Sequence, residues 1–191
     1  MQIVALSGSS RTQSFNTALL RAAASLAAAP ARIEVRTIAG IPLYDGDVEQ
    51  AQGLPEAVVA LKDEIAASAG LVIATPEYNN SLPGPLKNAI DWCSRPMSDQ
   101  ARVFGGKPVA LCGAAPGRGA TALAHVAWLP VFRVLGLRYW PHGQLMVPAA
   151  HEAFGDDGGL RDEKLRERVR AFADGFAAFC AESAAVPSAD R

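Results

Sequence analysis

Residues 8 to 16 read GSSRTQSFN. Ser9, Ser14 and Asn16 offer short side-chain donors, and Arg11 carries a fixed positive charge. The stretch follows an apolar run and precedes one rich in alanine and leucine, the point where a strand hands over to a helix. A helix that begins near Ser14 leaves its first backbone N–H groups without partners. Those groups and the helix dipole favour an anion. The combination suits a phosphate. The plainer alternative is that Ser14 only caps the helix and the other residues form a solvated loop, since short polar residues are common at that position. This stretch alone leaves both readings open. No GxxxxGK(S/T) motif is present and no GxGxxG follows the first apolar run. The phosphate is therefore neither that of a triphosphate loop nor that of the dinucleotide fingerprint. A terminal phosphate monoester fits better.

A second stretch, TPEYNNSLPGPLKNAIDW, covers residues 75 to 92. Pro76, Pro83 and Pro85 stiffen it, and Gly84 allows a turn. A rigid loop holds backbone donors and acceptors in fixed places, which suits the edge of a flat heteroaromatic ring. Tyr78 can pack on a ring or at a subunit contact. Asn79, Asn80 and Ser81 supply further hydrogen bonds. The alternative is a purely structural loop, with Ile90 and Trp92 as core residues of the next helix.

The elements that must position these residues follow from the hydrophobic pattern. Residues 2–7, 70–75 and 107–114 are short apolar runs, the pattern of strands buried on both faces. Residues 32–38 alternate like a half-buried strand, and 138–147 hold a last one. Helices are expected over 14–29, over 55–69 with Pro55 at its start, from 86, over 120–135, and over 161–183. Residues 39–54, 76–85 and 148–159 read as loops. Strands that alternate with helices require right-handed crossovers and a parallel sheet. The expected fold is therefore α/β, with three layers and five strands. A single domain over 1–182 and a flexible tail over 183–191 complete it. In such sheets, ligands bind outside the carboxyl ends of the strands, which is where both polar stretches lie.

GSSRTQSFN followed by TPEYNNSLPGPLKNAIDW resembles the NADPH-dependent FMN reductases, whose relatives reduce quinones, chromate and azo dyes. The resemblance extends from Gln2 to about residue 180. It implies a flavodoxin-like sheet of order 2-1-3-4-5 and a tightly held FMN. It places Ser9, Arg11, Ser14, Phe15 and Asn16 on the FMN phosphate. Pro76, Glu77, Tyr78 and Asn79, with Ser81 nearby, would line the isoalloxazine edge. The third loop, GAAPGRGATA, matches less closely. Gly113, Ala115, Pro116 and Gly117 are assigned beside the flavin, where small residues let the backbone approach a ring. A plain turn before a helix explains them equally well. Arg118 is either a contact for the phosphate of a nicotinamide cofactor or solvated surface.

The resemblance also implies NADPH, and possibly NADH, as the electron donor and a small molecule as the acceptor, with no catalytic side chain because the flavin carries the chemistry. Glu77 would hold the loop or a subunit contact rather than act as an acid. A homodimer or homotetramer is implied, with Trp92 and the helix from Leu86 at the interface. An electron carrier of the flavodoxin type is the rival reading. Such carriers are strongly acidic, whereas the formal net charge here is −1.

Composition narrows the rest. The chain has 191 residues, half of them hydrophobic and 19% charged, an ordinary globular balance. A near-neutral charge with no basic cluster argues against nucleic acid and anionic membranes. The first apolar run is too short for a signal peptide or a membrane span, so a cytoplasmic location is expected. Cys93, Cys112 and Cys180 are far apart and read as free thiols in a reducing compartment. The three histidines lack ligand spacing with cysteine or glutamate, and no metal site is expected.

Overall fold

The computed structural model describes residues 1–185. The apolar runs become strands β1 (Gln2–Ser7), β3 (Leu71–Ala74) and β4 (Pro108–Ala114). β3 and β4 are buried along their whole length, and β1 from Ile3 onwards. β2 (Arg32–Thr37) lies at one edge and is only half-buried, which accounts for its alternating sequence. The sheet is parallel, in the order β2-β1-β3-β4-β5.

The fifth position is shared by two short strands. β5 (Arg138–Tyr139) pairs with Pro108 and Val109, and β6 (Leu145–Val147) pairs with Cys112 to Ala114. The last strand expected within 138–147 is thus divided in two: Trp140 N–H still bonds to Val109 O, and Pro141 to Gly143 interrupt the ladder before it resumes.

Successive strand residues point to opposite faces, and the two cores separate accordingly. Ile3, Ala5, Val72, Ala110 and Cys112 face α1 (Phe15–Leu26) and α8 (Glu163–Ala185). Val4, Leu6, Leu71, Ile73, Val109 and Leu111 face α3 (Glu56–Ala67), α4 (Gly84–Cys93), α5 (Gln100–Phe104) and α6 (Ala122–Leu135). Helices on both faces satisfy the demand of a parallel sheet for double cover.

Two short helices lie where loops were expected, α2 (Gly46–Gln52) and α7 (Ala150–Ala153). The final helix runs on to Ala185, so residues 183–185 of the expected tail are helical. Residues 186–191 lie outside the described residues. No helix among the described residues is long and apolar enough to cross a membrane.

Candidate active site

The strand β1 ends at Ser7, and the chain reaches α1 through residues 8–14. Ser14 is the N-cap: its backbone is extended and its Oγ accepts the N–H of Thr17 at 3.2 Å. The N–H of Ala18 bonds to the Ser14 carbonyl. The N–H groups of Phe15 and Asn16 are the ones left over, as helix geometry requires. Ser9 and Ser14 are nearly buried, with hydroxyl protons still to donate, and Ser9 Oγ accepts from Arg11 N–H at 3.3 Å. The Arg11 guanidinium is exposed and has no carboxylate partner among the described residues. Two backbone donors, two hydroxyls and one guanidinium without a carboxylate partner together offer a phosphate several donors and one full positive charge.

Asn16 contributes differently from the expectation that its side chain donates to the ligand. Its carboxamide is buried and committed in both directions to Ala114, donating to the carbonyl at 3.0 Å and accepting from the N–H at 3.0 Å. It ties the start of α1 to the end of β4. Only its backbone N–H is left for an anion. Phe15 is half-buried and stacks on Phe154 with ring centres 5.8 Å apart. These two rings and Arg11, Ser14, Arg21 and His151 border a cleft of about 510 Å³ beside the loop.

The second loop leaves β3 through Thr75, a residue not singled out in the sequence. Its N–H bonds to Cys112 O, its hydroxyl donates to Pro76 O at 2.8 Å, and the Trp128 indole N–H donates to it at 3.0 Å. Pro76 is buried. Tyr78 and Ser81 exchange both backbone hydrogen bonds, at 3.1 and 3.0 Å. Asn79 and Asn80 between them have φ of 51° and 61°. Two left-handed residues closing such a pair make a type I′ turn, and asparagine is the non-glycine residue that tolerates it best. The turn therefore adds to the stiffness that the prolines supply. Tyr78, Asn79, Asn80 and Ser81 are exposed at its tip.

Glu77 points away from the tip. Its Oε2 accepts the N–H groups of Leu123 and Ala124 at 2.8 and 2.9 Å, capping α6 from another part of the chain. The third loop starts at Gly113 and Ala114, both buried, and emerges through the half-buried Ala115 to the exposed Pro116, Gly117 and Arg118. Ala115 bonds to Val147 O and accepts from Ala150 N–H.

The three loops are fastened together. Gly8 N–H bonds to Ala74 O, Thr75 N–H to Cys112 O, and Asn16 to Ala114. Packing makes glycine necessary at two of these joints. A Cβ on Gly8 would collide with Leu86 and stand 2.9 Å from Pro76 Cδ. One on Gly113 would collide with Thr121 Oγ1 and stand 2.6 Å from Thr75 O.

Below the second and third loops lie two further polar residues that the sequence did not signal. Thr121 is fully buried and His125, one turn later on α6, is 5% exposed; neither the hydroxyl nor either ring nitrogen has a hydrogen-bond partner. Burial pushes the His125 imidazole down to about 4, opposed by the nearby Cys112 backbone, which does not meet the geometry of a hydrogen bond to the ring, and by the Glu77 charge. It is therefore neutral at physiological pH.

Asn88 and Trp92 lie on one face of α4 and hold the 42–44 segment. Asn88 bonds to Pro42 O and accepts from Tyr44 N–H, both at 2.8 Å, and the Trp92 indole donates to Pro42 O at 2.9 Å. Trp92 is wholly buried within its own chain. The expectation that it lies at a subunit interface is corrected: its indole is a core group. Cys93, Cys112 and Cys180 are free and buried; burial pushes the first and last up to about 12 and raises Cys112 as well, so none is a thiolate nucleophile.

Comparison with known proteins gives the family of the chain. The family model described as NADPH-dependent FMN reductase matches residues 1–152. An NAD(P)H-dependent FMN reductase of Pseudomonas aeruginosa is 41% identical over 170 residues, 89% of this chain and 90% of the relative. A 2-hydroxy-1,4-benzoquinone reductase of a Burkholderia species is 36% identical over 179 residues, 94% and 96% of the two chains. Among solved structures, the flavoenzyme NAD(P)H:(acceptor) oxidoreductase FerB of Paracoccus denitrificans superimposes with a TM-score of 0.84 at 31% identity, covering 95% of this chain and 98% of FerB. With its flavodoxin-like sheet and these matches across most of its length, the chain belongs to the NADPH-dependent FMN reductase family, enzymes that use FMN and a reduced nicotinamide cofactor.

Proposed function

We propose that this protein oxidises NADPH or NADH at a bound FMN and passes the electrons to a small acceptor, with a quinone as the favoured class. The observation that carries the reading is the fastening of three strand-end loops around one phosphate cradle and one rigid ring-facing turn. FMN, when bound, supplies the hydride chemistry through its N5.

The chain's own residues bind and orient. The N–H groups of Phe15 and Asn16, the hydroxyls of Ser9 and Ser14, and Arg11 hold the phosphate. The backbone of residues 76–79 faces the ring edge, with Ser81 and Tyr78 beside it. Gly113, Ala115, Pro116 and Gly117 form a small-residue wall on the other side. Backbone donors in these positions stabilise negative charge that develops on the ring as it is reduced. No protein acid or nucleophile is needed: Glu77 is spent on α6, the thiols are protonated, and His125 is buried.

The quinone class is favoured because the Burkholderia relative bears that specificity in its name. Free flavin, azo dyes and metal oxyanions are the other acceptors that an accessible reduced ring serves. Donor and acceptor then use one ring face in turn, which gives ping-pong kinetics. Parallel lines in double-reciprocal plots of NADPH against a benzoquinone support this; intersecting lines contradict it.

A second copy of the chain completes the reading, as a homodimer or a dimer of dimers. Leu123, Val126, Leu129 and Val134 stand 50, 63, 41 and 73% exposed along one face of α6. An apolar strip of this kind on a soluble protein marks an interaction surface. It begins at the helix turn that Glu77 caps, so a partner seated there lies beside the ring-facing loop. Three buried free thiols suit a reducing compartment, and the cytoplasm is the proposed location.

A further inference from the structure

The start of α6 has an unusual set of partners. Every N–H of its first turn is satisfied: Ala122 by Gly119 O, Leu123 and Ala124 by Glu77, and His125 by Thr121 O. Thr121 is the N-cap residue, and its hydroxyl makes no capping bond. A threonine at that position ordinarily accepts the second or third N–H of the helix through its own side chain. Here those two N–H groups belong to the Glu77 carboxylate. The displaced Thr121 hydroxyl is left fully buried with no partner, an arrangement that costs free energy unless something compensates. The compensation is a charge-assisted double cap by Glu77 at the positive end of the helix dipole.

We propose that Glu77 is the positioning residue of the ring-facing loop and that Thr121 is its reserve cap. With Glu77 docked, the loop is fixed to α6 through one carboxylate, and the turn at Asn79 and Asn80 is held in register with the third loop. When Glu77 withdraws, a rotation about χ1 lets Thr121 Oγ1 take an N–H that Glu77 has released. The loop can then lift and reclose while α6 stays folded. The cap exchange is a property of the chain alone. Its consequence for the ring rests on the flavin reading given above.

The test is a double-mutant cycle on the flavin-free protein, followed by FMN titration. In the parent, Thr121→Val removes a hydroxyl that has no partner, and the melting temperature is expected to hold or rise. In the Glu77→Ala background the same change removes the reserve cap, and the melting temperature is expected to fall. A fall of equal size in both backgrounds, or none in either, overturns the reserve-cap role. So does a Glu77→Ala protein that fails to fold while Glu77→Gln folds.

For positioning, Glu77→Ala is expected to weaken FMN binding at least tenfold and to alter the bound-flavin spectrum, with Glu77→Gln restoring both in part because its amide oxygen still accepts. FMN bound by Glu77→Ala as tightly as by the parent, with the same spectrum, overturns that role. If the parent itself takes up no FMN, the flavin reading fails, and with it the positioning of a ring, while the melting cycle still decides the cap exchange.

Discussion

Arg11 is the one full charge in the proposed phosphate cradle, and no carboxylate among the described residues pairs with it. A charge-assisted hydrogen bond contributes roughly 1.5–3 kcal/mol, so Arg11→Ala should weaken FMN binding about ten- to a hundredfold. Fluorescence titration of the apoprotein with FMN measures it; unchanged affinity would remove Arg11 from the site. Ser14 could be read from sequence because an N-cap has a local signature, and it serves as one. The task of Asn16 could not, because its partner Ala114 is 98 residues away.

His125 was equally illegible: a lone histidine in an apolar helix gives no sign of whether it finds a partner. Its folded value of about 4 lies below the ordinary 6.5. Between those values the unfolded chain binds more protons, so stability falls as pH drops from about 6.5 to about 4. The full loss is on the order of 3 kcal/mol. Urea midpoints measured from pH 7 to pH 4 should show this slope, and His125→Gln should flatten it.

At the scale of elements, the buried strands follow from runs such as GLVIAT and KPVALCGA, the pattern of a parallel sheet covered on both faces, whereas their order is implied only by the family resemblance. The short helix α2 escaped because none of its residues is buried, so it has no apolar period to read; its only signal was Asp45, whose carboxylate caps it. The region 138–147 reads as holding a strand because both its ends are apolar enough to pair, and Pro141 and Gly143 between them divide the pairing between Arg138–Tyr139 and Leu145–Val147.

The joint between the second and third loops supplies the sharpest test at this level. A Cβ on Gly113 would meet both the Thr75 carbonyl oxygen and the Thr121 side chain. Gly113→Ala forces a shift of backbone as well as side chain, and overpacking of this kind costs about 1–3 kcal/mol. Chemical denaturation should show that loss. FMN binding should weaken with it, since the same movement spreads the ring-facing and third loops apart.

Considered whole, the molecule presents its apolar strip on α6 rather than at Trp92. Periodicity marks α4 as a helix with one apolar face but does not distinguish a face covered by the chain itself from one covered by a second copy. The buried indole shows a face covered by the chain itself, while the exposed Val126 lies on the face that the proposed second copy would cover. Val126→Glu puts a charge in the middle of the strip. If a second copy seats there, sedimentation should show the assembly shifting toward monomer, with melting of the monomer little changed. An unchanged sedimentation coefficient would place the subunit contact elsewhere.

The measurement that bears most directly on the whole account is a visible absorption spectrum of the purified protein, repeated under anaerobic conditions after adding NADPH and then a benzoquinone. The expected result is a bound-flavin spectrum that bleaches with NADPH and returns with the quinone. A flavin spectrum that neither NADPH nor NADH bleaches would make the protein an electron carrier. A protein with no flavin, and none taken up from added FMN, would contradict the phosphate cradle at residues 8–16 and everything built on it.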